Sequence, residues 1–428
     1  MNLKALTAEI DKIPAIDMHS HMNHEEMNPS HPEQLLFYHM LTYPMASSGA
    51  EGSRLWPWEA PQDAQPSWES RLAEWFRYLP QAENTSFFGL LREIFSGLYR
   101  FDGALSSETY PDFLSAFERT NADPARAAKV CDSAGIVKIL TSRWHPAPPK
   151  SLPEGDRFGF TFERFPISGP AEYNPWSTRL RLVFEKTGTR IRSTEDLDGF
   201  LAGFFGGFDW SDLRAFVCWV SAMADFTPVG RKTADRLLKL SAAGRVISPT
   251  ENRLLDAGLI RAICRALQGR ARIFQLVYGV QYLHKGKQHG IQRADAEYAT
   301  GLGYLAAEFP GIHFNILNGY EPHEPELCSL ALAYPNVSLG GFWWQTFYPS
   351  VMRASLGRRL DMVPVSRLMG FFSDGYCLDW VWARLRQSRR IIAEVLSDKM
   401  EREGWNADLC LRTARALLHD TPKKIFLG

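Results

Sequence analysis

An excess of charge of either sign is missing from this chain: 48 basic and 48 acidic side chains cancel across 428 residues. With no basic field to hold phosphate backbones, nucleic acid is not an expected partner. Paired cysteines are missing too. The six cysteines (Cys131, Cys218, Cys264, Cys328, Cys377 and Cys410) are scattered, with no CxxC among them. That excludes a disulfide framework and a structural zinc knuckle, and fits a reducing compartment. No window approaches the ~20 apolar residues of a membrane span. The N-terminal "MNLKALTAEIDKIP" carries charges where a signal peptide would have its apolar core. These absences predict a cytoplasmic protein that binds a small molecule and neither membrane nor nucleic acid; a homo-oligomer stays open. No internal repeat or low-complexity run is present.

What the chain does have is an ample apolar fraction, 45%, and an aromatic surplus of 13 tryptophans and 14 tyrosines. Aromatic faces suit stacking on sugar rings, and equally suit ordinary core packing. Eight β-rich runs recur: 13–18, 135–142, 158–163, 215–220, 272–280, 311–317, 336–342 and 368–374. Most are near-continuously apolar, as expected of parallel strands covered on both faces. Helical patterns such as "ADAEYATGLGYLAAEFP" lie between the later ones and end at prolines. Alternating strand and helix with eight strands predicts an α/β fold, a (β/α)8 TIM barrel spanning 1–428 as one domain. A doubly wound sheet is the competitor, but no glycine-rich phosphate loop follows the first strand. The gap from 22 to about 134 is too long for a plain βα connection. Residues 24–130 read as a mostly helical insertion after strand 1, capping the mouth of the barrel.

The first run ends in "DMHSH". Alternate residues of a strand share a face, so His19 and His21 both look inward from the C-terminal end of strand 1. Catalytic groups of this fold sit at that end. Two imidazoles there can hold one divalent ion if other strands complete the site. Asp374 closes the last run, "LMGFFSD", which a closed barrel places beside the first strand. Its carboxylate can ligate the same ion and move a proton. His24 lies beyond the strand in a turn, and His313 begins strand 6, which suggests a structural role. "YLHKGKQHG" follows strand 5, so His284 and His289 belong to the functional rim and His284 is a candidate substrate contact.

HxH after strand 1 with Asp after strand 8 is similar to the amidohydrolase superfamily of metal-dependent barrels. Within it, the chain most resembles uronate isomerases, as a divergent member. The resemblance lies in "PNVSLGGFWWQTF", in "MGFFSDGYCLDWVWARLRQSRRIIAEVL", in "IHFNILN" and in "LLFYHMLTYP", about a third of the chain. It implies His19, His21 and Asp374 as ligands of one divalent ion, with zinc expected, and His39 as a cap histidine near that ion. It further implies Arg164, Trp343, Trp344 and Arg384 as substrate contacts.

Departures from the family are as informative. Met40 stands where the family has a tyrosine, Val277 where it has a histidine, and Gly375-Tyr376 where it has Ser-Arg. Tyrosine cannot replace a guanidinium's paired charged hydrogen bonds to a carboxylate. Tyr376 then becomes a candidate substrate contact, and Tyr38, Tyr43 or Tyr376 a candidate phenol. The resemblance implies aldose–ketose isomerisation of a sugar acid or related carbonyl compound through an enediol. The alternative on the same ligands is a hydrolase of a lactone, ester or amide, with Asp374 as base to an activated water.

Overall fold

The computed structural model describes residues 1–22, 26–57, 60–143, 157–163, 167, 175–211, 213–224, 226–283 and 290–428. Seven of the eight apolar runs form one parallel sheet. Its strands are β1 (Ala15–Ser20), β2 (Ile136–Arg143), β3 (Phe158–Phe162), β4 (Leu213–Trp219), β5 (Ile273–Tyr278), β8 (His313–Asn318) and β9 (Val337–Phe342), in that spatial order. All six residues of β1 are buried, as are those of β5 and β9. A strand covered on both faces needs no polar alternation, which is why these runs read as continuously apolar. The sheet is a curled α/β layer of the TIM-barrel kind, with helices in the connections.

The run at 272–280 is not one strand. It breaks at Gly279, whose φ of +103° suits glycine, and a Cβ there would sit 2.5 Å from the backbone nitrogen of Tyr320. Beyond the break, β6 (Val280–Tyr282) and β7 (Gly290–Gln292) pair antiparallel as a separate two-stranded ribbon.

The expected eighth strand, 368–374, departs further from a regular ladder. It makes one isolated bridge, Leu339 to Leu368, and Met369 N donates to Leu339 O. On its other side Asp374 N donates to His19 O at 3.1 Å, and His21 N donates to Gly375 O at 2.9 Å. The segment thus touches both edge strands through a few isolated hydrogen bonds and no regular ladder. At its end Asp374 adopts a left-handed φ of +53°, which ends extended geometry at that residue.

Between β1 and β2 the described residues form helices, from Glu33–Leu36 to Arg126–Ala134. The helix Ser86–Tyr99 buries Phe87, Phe88, Leu91, Ile94 and Phe95. It lies against the 26-residue helix Leu378–Glu403, which follows Asp374. A buried polar knot fixes this contact: Tyr99 OH donates to Asp379 Oδ1 at 2.6 Å, and Arg126 Nη2 pairs with the same oxygen at 2.8 Å. All six cysteines are buried, and none forms a disulfide. Among the described residues, no helix is long and apolar enough to cross a membrane.

Candidate metal centre

His19 and His21 occupy the end of β1, and the parallel pairing of β1 with β2 keeps both on the inward face. His19 is buried and His21 half-buried. Asp374 Oδ1 lies 3.1 Å from His21 Nε2 and 3.6 Å from His19 Nε2. Of the His, Cys, Asp and Glu groups among the described residues, these three form the cluster able to hold an ion, their ligand atoms within 4.8 Å of one another. Two atoms bound tetrahedrally to zinc at about 2.0–2.1 Å stand about 3.3 Å apart. The observed separations bracket that value.

The Asp374 carboxylate fits a cation on chemical grounds as well. Its Oδ1 is buried and accepts no well-directed hydrogen bond. An orphaned carboxylate oxygen is costly in a protein interior unless a positive group satisfies it. Burial alone would raise the Asp374 pKa, but the neighbouring His19 and His21 imidazoles outweigh it and hold the carboxyl well below its usual range. The group is therefore anionic. Its left-handed backbone is tolerated by aspartate better than by branched residues.

Outer contacts fix the imidazoles. His19 Nδ1 is 2.8 Å from Gln275 Oε1, and His21 Nδ1 is 3.5 Å from Glu163 Oε2. Both rings thereby turn Nε2 towards Asp374. Under the pair, Asp17 accepts from Ser373 N at 2.9 Å and from Ser373 Oγ at 2.5 Å. Burial lifts the Asp17 carboxyl to about 6, against the lowering effect of these hydrogen bonds.

His39, in the helix His39–Ser47, reaches in so that Nε2 stands 3.8 Å from Asp374 Oδ2. Burial pushes its pKa down to about 4, with Asp374 pulling it upwards and His21 and Arg384 adding to the depression. It is neutral at neutral pH. Tyr376 stacks on His21 with ring centroids 5.2 Å apart, and is 45% exposed. Tyr38 OH donates to the Asp374 backbone carbonyl at 3.3 Å, and its ring stacks on Trp380. Of the three candidate phenols, Tyr38 and Tyr376 meet the ligand residues directly. Tyr43 stands further out, edge-on to Trp344.

The paired tryptophans directly follow β9. Trp343 faces Trp219 edge-on and crowds Gly319, where a Cβ would sit 2.8 Å from the indole. Trp344 is buried and likewise crowds Gly290 at the start of β7. Arg384 is buried, with its guanidinium 3.7 Å above the Phe347 ring, and it hydrogen-bonds Gln387. Burial lowers its pKa to about 10, opposed by the charges of Tyr38, Asp374 and Asp17. Arg164 and His284 lie outside the described residues.

Three contributors were not singled out from sequence: Glu163, Gln275 and Asp17. Glu163 had a usable signal, because it stands one residue past β3 as His21 stands one past β1. Gln275 was visible as a polar residue inside an apolar strand. Asp17 had the same mark two residues before His19.

A curled parallel α/β sheet of the TIM-barrel kind, with two histidines at the end of its first strand and an aspartate facing them, presents a site able to hold one divalent ion. No known protein-family profile matches the chain. In sequence it is 26% identical over 253 residues to a uronate isomerase of Thermotoga neapolitana, a match covering 55% of each protein. The chain thus spans about half the length of that curated relative. In structure, a uronate isomerase from Thermotoga maritima superposes with a TM-score of 0.82 over 100% of this chain and 98% of that one, at 16% identity. Glucuronate isomerase from Caulobacter crescentus superposes at 0.80 over 99% and 93%, also at 16% identity. The chain is thus similar in sequence to uronate isomerases and shares the fold of solved members of that group.

Proposed function

We propose that the chain is a sugar-acid isomerase that uses one divalent ion, zinc by preference, held by His19, His21 and Asp374. The observation that carries this reading is the convergence of both Nε2 atoms on the orphaned Asp374 Oδ1. When bound, such an ion would polarise the carbonyl and neighbouring hydroxyl of an open-chain sugar acid. The chain's own residues would do the rest. Neutral His39, 3.8 Å from Asp374 Oδ2, is suited to carry a proton between adjacent carbons through an enediol. Trp343, Trp344 and Tyr376 would wall the sugar, and the helical segment 24–130 would act as the cap that excludes water. Arg384, with Arg164 and His284, completes the proposed substrate contacts.

Incubating zinc-loaded protein with aldohexuronates in D2O, followed by NMR, tests the reading. Ketose formation with deuterium at the carbon next to the carbonyl is expected. Absence of both across the hexuronates sinks it.

Hydrolysis of a lactone, ester or amide is the second reading. It is favoured by Tyr376 standing where the family's arginine would meet a carboxylate. Release of acid from sugar lactones without isomerisation would select it.

A further inference from the structure

His19 is the first member of a chain of buried polar side chains that crosses the sheet. His19 Nδ1 meets Gln275 Oε1 at 2.8 Å, and Gln275 Nε2 donates to Asn315 Oδ1 at 2.9 Å. Asn315 Nδ2 donates to Ser338 Oγ at 2.9 Å, and Ser338 Oγ is 2.8 Å from His313 Nε2. Gln275, Asn315 and Ser338 are fully buried. Strand register explains how they meet. Gln275 on β5 pairs with Asn315 on β8, and Asn315 pairs with Ser338 on β9, so three neighbouring strands present them in one row. His313 shares a face with Asn315, two residues on in β8.

We propose that this row is a polarity-fixed hydrogen-bond chain that keeps a proton on His19 Nδ1, and so keeps Nε2 as the atom offered to the ion. Each amide gives one oxygen and one nitrogen, so the stretch from His19 to Asn315 has only two self-consistent directions, while the Ser338 hydroxyl can accept from Asn315 and either donate to His313 or accept from it. In one, every donor points away from His19: Nδ1–H to Gln275, Gln275 to Asn315, Asn315 to Ser338, and the Ser338 hydroxyl to His313 Nε2. In the other every bond reverses, Nδ1 becomes an acceptor, and Nε2 of a neutral His19 carries the proton and cannot ligate. The amide orientations in the structure are those of the first direction. The far end is compatible with it. Burial, with the charge of Arg367, holds the His313 pKa down to about 4, so the ring is neutral and in its Nδ1-protonated tautomer can accept from Ser338. These four are positioning residues, acting on the ion through His19 alone.

The inference rests on the metal reading, but the proton on His19 is read without metal. In metal-free protein, 15N NMR of labelled histidine is expected to show His19 Nδ1 protonated; an unprotonated Nδ1 overturns the proposal. Titration with Zn2+ and Co2+ supplies the second readout. Gln275→Leu removes the acceptor and is expected to weaken both ions by about 10–100-fold, the usual cost of losing a ligand's outer partner. Gln275→Glu, which can only accept from Nδ1, is expected to stay within about threefold of the parent. Ser338→Ala touches no ligand, yet is expected to speed exchange of the Nδ1 proton and weaken binding by about three- to tenfold, a fraction of that outer-partner loss. Unchanged affinity and exchange in Ser338→Ala overturn the chain beyond Gln275, a test that holds even where Gln275→Leu fails to fold. If the parent takes up neither ion, the metal reading fails, and the NMR result still decides the polarity.

Discussion

Ser373 Oγ donates to Asp17 Oδ2 at 2.5 Å, joining two fully buried residues 356 positions apart. Ser373 N adds a second bond to Oδ1 of the same carboxylate at 2.9 Å. The pair therefore binds the strand carrying both histidines to the segment carrying Asp374. Replacing Asp17 with alanine leaves a buried N–H and hydroxyl without their acceptor. The expected loss of stability is about 1–3 kcal/mol, read as a shift in the urea midpoint. A zinc titration of the same variant should show weakened binding, because the third ligand is no longer held against the first two.

The pH response of stability contains two opposing contributions at this site. Asp17 has its pKa raised from 3.8 to about 6, so the folded state binds the proton more tightly. Its contribution falls as pH rises through about 4 to 6. His39 has its pKa lowered from 6.5 to about 4, so the unfolded state binds more protons in between. Its contribution rises with pH through about 4 to 6.5. Asp17→Asn should therefore steepen the gain in stability between pH 4.5 and 6, and His39→Gln should flatten it. Urea midpoints of metal-free protein at three pH values across that range check both signs.

Metal removal should separate the ligands from their surroundings. Zinc at about 100 times its dissociation constant is expected to add about 2.7 kcal/mol to stability. Chelation should lower the melting temperature accordingly, and zinc should restore it. In Asp374→Asn, whose amide lacks the anionic oxygen between the imidazoles, added zinc should leave the melting temperature unchanged within about a degree, since an ion that does not bind the folded state cannot stabilise it.

The sheet was readable because strands buried on both faces leave continuous apolar runs, and seven such runs became strands. The eighth run held the predicted Asp374 but not regular pairing. Its left-handed turn at aspartate has no apolar signature, and nothing in "FFSDGY" distinguishes it from an extended end. His19 and His21 were legible because a two-residue spacing fixes a shared face. Glu163 and Gln275 act on those histidines through side-chain contacts across 142 and 256 positions, distances at which spacing along the chain says nothing. The split at Gly279 shows the same limit, since the reason for it is the approach of Tyr320 from a later loop.

Asp379 offers a test of how the segment between β1 and β2 is anchored. It is fully buried and takes hydrogen bonds from Tyr99 and both terminal nitrogens of Arg126. Asp379→Ala would strand a buried guanidinium without its counter-charge, a change worth about 3–5 kcal/mol. The expected result is a lower unfolding midpoint and faster proteolysis within residues 86–134. Equal proteolysis of variant and parent would show that the anchor lies elsewhere.

The histidine pair and its aspartate have a consequence for synthesis on the ribosome. Asp374 follows His19 by 355 residues (374 − 19). At about 5–20 residues per second, the nascent chain would display two imidazoles for roughly 20–70 s before their carboxylate exists. Any ion held during that interval would be bound by two ligands and readily surrendered. On the proposed metal reading, selective capture of an ion therefore waits for Asp374 and is made together with the last turn of the sheet.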